Sequence, residues 1–259
     1  MKKRLVLGER DIGVLDALHL HGALNMRQLA ELCFGEVSSE TARKRLRKLH
    51  QSGYIGATVT SNKEEKGRPE HLYFLTAQAA GALARNKNIA EKSIIIGPPN
   101  NNHKEHLTRL VELHLAWKRT AKHEKISDCS FLTKRVSFSN RNGDELVNAA
   151  KGHADAVITF NKGEDSQQTI LIVLETGNLR QTRHWQPKIN AFTKTNIPVL
   201  MLALDERRLD TLRQWTLPML KDAGVCEDRY LFGLYDEVVM KGFVSTIEFC
   251  NGHSKVSAK

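Results

Sequence analysis

SSETARKRLRKLHQSGYIGATV, residues 38–59, decides how the first half of this chain is read. Ser38 or Ser39 offers the side-chain oxygen that caps a helix N-terminus, and Ala42, Leu46 and Leu49 recur at i, i+4 and i+7 as one apolar stripe. At about 3.6 residues per turn, Thr41, Lys44, Arg47 and Lys48 fall on the opposite face, with Arg43 at its margin. Such a helix buries one side and concentrates positive charge on the other. A polyanionic groove suits that charge; a merely solvated basic face on a small helical domain is the alternative.

Upstream, residues 9–21 and 25–34 read as two short amphipathic helices, separated by Gly22 and closed by Phe34-Gly35-Glu36-Val37. Downstream, residues 54–59 and 71–76 read as the strands of a hairpin whose polar connection carries Lys63, Lys66 and Arg68. Helix, helix, basic helix and hairpin is the order of a winged helix-turn-helix, in which the basic helix enters the major groove. The expected DNA contacts are therefore Thr41, Arg43, Lys44, Arg47 and Lys48 on the helix, with Lys63, Lys66 and Arg68 gripping backbone from the wing. His19-Leu20-His21 imitates a metal-binding histidine-hydrophobe-histidine string. Two helical residues two apart point about 200° from one another, so they cannot share an ion.

A formal net charge of +10 agrees with a nucleic-acid partner, because clustered Lys and Arg release counterions condensed on phosphates. The 259 residues suffice for two domains. Gly97-Pro98-Pro99 followed by three asparagines interrupts regular structure, which suggests a first domain over 1–86, a linker over 87–102, a second domain over 103–250 and a flexible tail over 251–259. No apolar run approaches the roughly 18 residues a membrane span needs, and residues 1–4 do not open a signal peptide, so a soluble cytoplasmic protein is expected. Cys33, Cys129, Cys226 and Cys250 lack zinc-site or disulfide-scaffold spacing and are expected as buried thiols.

Past the linker, residues 103–123 read as a helix with Leu107, Leu110, Trp117 and Ala121 on one face; His103 and His114 share it and His106 borders it. Strands over 129–138, 152–160 and 169–176, a helix over 183–194, a strand over 199–204 and a helix over 205–221 follow. The order α-β-β-β-α-β builds a mixed sheet flanked by helices, the core of restriction-endonuclease-like, PD-(D/E)XK, nucleases. The expected fold is α+β, a winged helix followed by that α/β domain. Asp155 opens the second strand and Glu175 ends the apolar run Ile170-Leu171-Ile172-Val173-Leu174. An isolated acid at a strand end is commonly a solvated cap. Two at adjacent strand ends can hold a divalent ion against a phosphate and lower the pKa of an attacking water.

On these residues the chain resembles the plasmid replication-relaxation family, and within it the MobC-type relaxases of mobilisable plasmids. The resemblance rests on the winged helix ending in Tyr73-Phe74-Leu75-Thr76, on His103 and His106 opening the next helix, on the Asp155 strand, and on Val173-Leu174-Glu175 followed by a helix bearing Lys188. It implies a relaxase that recognises double-stranded DNA at a transfer origin and nicks one strand with Mg²⁺ or Mn²⁺. Such an enzyme works beside other relaxosome proteins and hands the strand to the coupling protein of a type IV secretion system. The chain departs from the nuclease pattern where Glu-x-Lys is expected, having Glu175-Thr176-Gly177. Lys188 and Gln181 are the candidates to fill the missing role, although Lys188 reads equally as a surface lysine or a phosphate contact. His103 and His106 are candidate metal or phosphate ligands or, alternatively, ordinary core-edge histidines. The rival function is a DNA-binding regulator of plasmid replication or transfer that keeps a degenerate nuclease fold and does not cut. A covalent tyrosine mechanism would need Tyr54, Tyr73, Tyr230 or Tyr235, and no spacing recommends one of them.

Overall fold

Gly22 ends the first helix by a backbone conformation open mainly to glycine: at φ +83° its N–H turns back to the Leu18 carbonyl at 2.7 Å. In the computed structural model the described residues are 5–35, 37–59, 71–134, 150, 152–161, 167–176, 185–244 and 246, with backbone alone at 101–103. That helix, α1 (Glu9–His21), leads to a short strand β1 (Ala23–Asn25) and to α2 (Met26–Leu29), which runs on into a π turn over Ala30–Phe34. Asn25 and Gln28 cap each other, with Gln28 N–H to Asn25 Oδ1 at 2.8 Å and Asn25 N–H to Gln28 Oε1 at 3.1 Å. Helix α3 (Ser39–Gln51) is capped by Ser38, whose Oγ accepts from Thr41 N–H at 3.3 Å. The hairpin strands β2 (Ile55–Val59) and β3 (His71–Leu75) follow, then α4 (Ala77–Lys87).

The three strands form one antiparallel sheet in the order β1-β3-β2. No periodicity marks β1, which is three residues long and pairs Ala23 with Phe74 and Asn25 with Leu72. Gly56 stands opposite Phe74, and a Cβ there would lie 2.3 Å from the Phe74 ring, so the ring packs over a position only glycine can occupy. Ala42, Leu46 and Leu49 of α3 are fully buried, as the stripe predicted, among the buried Val14, Leu15, Leu18, Ile55 and Leu75 of the same unit.

Helix α5 (Asn101–His123) is followed by β4 (Ser127–Thr133), β5 (Ala156–Asn161), β6 (Gln167–Glu175), α6 (Gln186–Thr193), β7 (Val199–Ala203), α7 (Glu206–Asp222), β8 (Tyr230–Leu234) and α8 (Tyr235–Lys241). The second sheet runs β4-β5-β6-β7-β8, antiparallel through β6 and parallel from there. Ile170 to Leu174 are all buried because both faces of β6 are covered. Leu171 and Val173 pack with Ile189 and Phe192 of α6 and Leu209 and Leu212 of α7. On the other face Trp117 of α5 meets Phe160 at 5.3 Å, and His114 stacks on Phe131 at 4.6 Å. Each fully buried side chain of this size contributes about 1.5–3 kcal/mol.

The chain divides into two compact units, Met1–Val111 and Glu112–Lys259, the division falling within α5. Three sequence expectations need correction or extension. The second strand begins at Ala156 rather than at residue 152, because residues 152–153 are helical and Asp155 precedes the ladder. Helix α4, strand β8 and helix α8 were not anticipated. Cys33, Cys129 and Cys226 carry thiols, as expected, but Cys129 and Cys226 are exposed and Cys33 is half-buried. Among the described residues no helix is long and apolar enough to cross a membrane.

Candidate functional site

All five predicted DNA contacts on α3, Thr41, Arg43, Lys44, Arg47 and Lys48, are exposed. Glu40 partly neutralises the first turn, pairing with Arg43 at 3.2 Å and Lys44 at 3.8 Å. Arg45, on the opposite flank, is committed to the interior. Its Nε donates to Asp11 Oδ1 at 2.6 Å, its Nη2 to Asp11 Oδ2, and again its Nη2 to the Val6 carbonyl at 3.2 Å. Burial raises the pKa of Asp11, but the Arg45 hydrogen bonds, the Gly8 N–H and the charges of Arg45 and Arg10 outweigh it and hold the carboxyl below its ordinary value. This pair fixes α3 against α1 and so sets which α3 side chains face outward. Lys63, Lys66 and Arg68, the contacts expected from the hairpin connection, lie outside the described residues.

On the other flank of α3, Arg43, Arg47 and His50 recur at i, i+4 and i+7 and form one wall of a concavity of ≈ 570 Å³. Ala57, His71 and Tyr73 of the hairpin form the facing wall. Sequence reasoning missed His50, His71 and Tyr73 because a helical wheel shows the faces of one helix, not what a hairpin brings beside it. His19 and His21 are 7 % and 1 % exposed and belong to the interior of this unit.

In the second unit Asp155 and Glu175 are brought to the same end of adjoining strands. Asp155 N–H donates to Ile172 O at 2.8 Å, and Asp155 Oδ2 accepts Leu174 N–H at 2.9 Å, which fixes the carboxylate beside the backbone one residue before Glu175. Glu175 is half-buried at the end of β6, in register with Ala203 of β7. Lys134, just past β4, donates its N–H to the Asp155 carbonyl at 3.1 Å. His153 has its pKa lowered, first by burial and then by the charges of Lys134 and Lys188, so both ammonium groups lie close enough to act on it. Lys188 Nζ also lies 4.9 Å from the centre of the Trp185 ring, a cation–π contact that holds the side chain at this end of α6. The sequence singled out Lys188 but not Lys134 or His153; Lys134 became visible only through the β4–β5 register. Position 177 and Gln181 lie outside the described residues, as does the side chain of His103, whereas His106 is half-buried in the part of α5 that belongs to the first unit.

Among the described residues no three His, Cys, Asp or Glu side chains form a metal-binding group. The donor set at this edge is two carboxylates, hard oxygen ligands of the kind that bind Mg²⁺ or Mn²⁺ with water and substrate oxygens completing the shell. Tyr54, Tyr230 and Tyr235 are buried, and burial pushes the Tyr230 hydroxyl up to about 12 despite Arg229 nearby.

The family described as replication-relaxation matches residues 15–168, more than half of the chain. This chain belongs to the replication-relaxation family. No curated protein and no solved structure matches it. Membership points this replication-relaxation protein to a role in plasmid replication or mobilisation. The matched span takes in α3, the hairpin, Lys134, His153 and Asp155, and it stops at the second residue of β6, before Glu175 and Lys188.

Proposed function

We propose that this replication-relaxation protein is a mobilisation relaxase of the MobC type, a metal-dependent endonuclease that nicks one DNA strand at a plasmid transfer origin. The observation that carries the reading is the placement of the Asp155 carboxylate on the β6 backbone beside Glu175, at one end of a mixed β-β-β-α-β sheet. That order is the one restriction-endonuclease-like, PD-(D/E)XK, domains use. The first unit, with strand order β1-β3-β2 behind a basic third helix, is read as a winged helix-turn-helix that selects the duplex. Phosphate contacts would set affinity there, and the few side chains reaching base edges would set the sequence.

Asp155 and Glu175 are the residues that would hold a divalent ion, which when bound supplies charge neutralisation at the phosphate and a more acidic water. Asp155 is oriented for this by Leu174 N–H, which fixes one carboxylate oxygen. Lys134 and Lys188 bring to the same edge the cationic charge that Gly177 cannot supply, and a lysine there stabilises negative charge developing on the scissile phosphate. His153, kept neutral near pH 7 by burial and these two lysines, is suited to accept a proton or a hydrogen bond rather than to bind phosphate as a cation. The natural partners of such an enzyme are origin DNA, other relaxosome proteins and the coupling protein of a type IV secretion system.

The test is relaxation of supercoiled plasmid carrying the protein's own mobilisation region, with Mg²⁺, Mn²⁺ or EDTA. Asp155→Ala and Glu175→Ala are expected to lower nicking at least about a hundredfold while leaving the gel shift near wild type. Gly177 favours a second reading, a DNA-binding regulator that does not cut. Intact supercoils with every metal, alongside a clear gel shift, would establish that one.

A further inference from the structure

We infer that the concavity between α3 and the β2–β3 hairpin holds an unpaired nucleotide of the bound DNA strand, phosphate and base together. The inference rests on the reading of this unit as DNA-binding. Among the described residues two arginines and two histidines line the space, and no carboxylate does. Arg47, His50, His71 and Tyr73, all lining the concavity, make no side-chain hydrogen bond or ion pair among the described residues. Glu40 engages Arg43 at 3.2 Å, which leaves Arg47 as the guanidinium suited to a phosphate, which an arginine can bind through two parallel N–H groups.

Shape selects the rest of the ligand. A space of ≈ 570 Å³ falls within the range of about 300–1,000 Å³ that encloses small ligands. The hairpin wall offers a half-buried Tyr73 ring with the small Ala57 directly across from it, and Met26 at the start of α2 closes the lining. An aromatic side chain and arginines lining one concavity are the means by which proteins hold bases of a single strand, by stacking and phosphate contact without dependence on base identity. The geometry therefore points to a DNA-binding unit that favours a site with a displaced base, as arises where a duplex is opened for strand transfer.

The experiment uses the full chain at low salt with three probes: a fully paired duplex, the same duplex carrying one unpaired 2-aminopurine nucleotide, and free deoxynucleoside monophosphate. Fluorescence anisotropy is expected to give roughly tenfold tighter binding to the duplex with the unpaired nucleotide, with quenching of 2-aminopurine as it stacks. Tyr73→Leu should abolish the quenching and bring the affinity ratio toward one. Arg47→Gln, at an exposed position, should reduce the ratio as well and keeps the test decisive should the Tyr73 variant fold poorly. Equal binding of both duplexes, or a preference that survives both substitutions, overturns the inference while leaving the DNA-binding reading standing. Saturable binding of the free monophosphate without preference for the unpaired duplex overturns the assignment to a DNA strand. Failure to bind any DNA overturns both readings.

Discussion

A lysine missing from one position of a strand need not be missing from the site that strand builds. Glu175-Thr176-Gly177 lacks the Glu-x-Lys lysine, yet Lys134 and Lys188 both act electrostatically on His153, two residues before Asp155. If one of them serves the cleavage reaction, its change to alanine lowers nicking about a hundredfold, arginine restores part of it, and the other lysine's alanine variant changes the rate far less. Nicking rates of the two single variants decide between them, and equal wild-type rates in both would remove lysine from the mechanism. The histidine gives a readout independent of cleavage. Its pKa lies below 6.5, so removal of either positive charge must raise it, though not fully to 6.5, because burial is the larger cause and stays. An NMR titration of the His153 ring in Lys134→Ala and Lys188→Ala checks that sign.

At the scale of elements, α5 shows how a polar residue is absorbed into a core. His114 lies flat on Phe131, 4.6 Å between ring centres and 4° between planes, and burial together with the Lys118 charge pushes its pKa down to about 4. The folded chain therefore holds this ring neutral, whereas the unfolded chain protonates it from about pH 6.5 downward. Its contribution is complete above pH 6.5 and is lost progressively as pH falls from 6.5 toward 4. His114→Phe keeps the stacked ring and removes the titration. Its melting temperature should fall less than that of wild type between pH 7 and 4.5, as circular dichroism can follow. The three helices before the hairpin were legible in the sequence to within a residue or two, because caps and i, i+4, i+7 stripes are local signals, whereas α4 (Ala77–Lys87) was not read. β1 was not, since three residues carry no period. β8 was not, because Tyr230-Leu231-Phe232-Gly233-Leu234 has neither alternation nor flanking turn signals, and only pairing with β7 defines it.

For the whole molecule, charge is the quantity that sums. A net +10 favours nonspecific attraction to any polyanion at low salt, so affinity alone would not identify which side chains meet phosphate. The salt dependence does. Replacing Lys44, Arg47 and Lys48 with glutamine one at a time should reduce the slope of log K against log salt by about one per lost phosphate contact. Arg207 and Lys221, on α7 of the second unit, serve as controls expected to leave the slope unchanged; an equal drop in the controls would mean that overall charge, not the α3 face, accounts for binding.

The sequence by itself determined the net positive charge, the basic α3 face, the apolar β6 and the order of two acids along the chain, for these are encoded in local periodicity and in residue type. Tertiary structure decided what those residues stand beside. The β5–β6 register set Asp155 on the backbone next to Glu175, the β4–β5 register delivered Lys134, and the β2–β3 hairpin turned one flank of α3 into a walled cavity. Each depends on pairing between segments far apart in the chain. A one-residue change of register would move every such side chain to the opposite face while leaving each segment's own pattern intact.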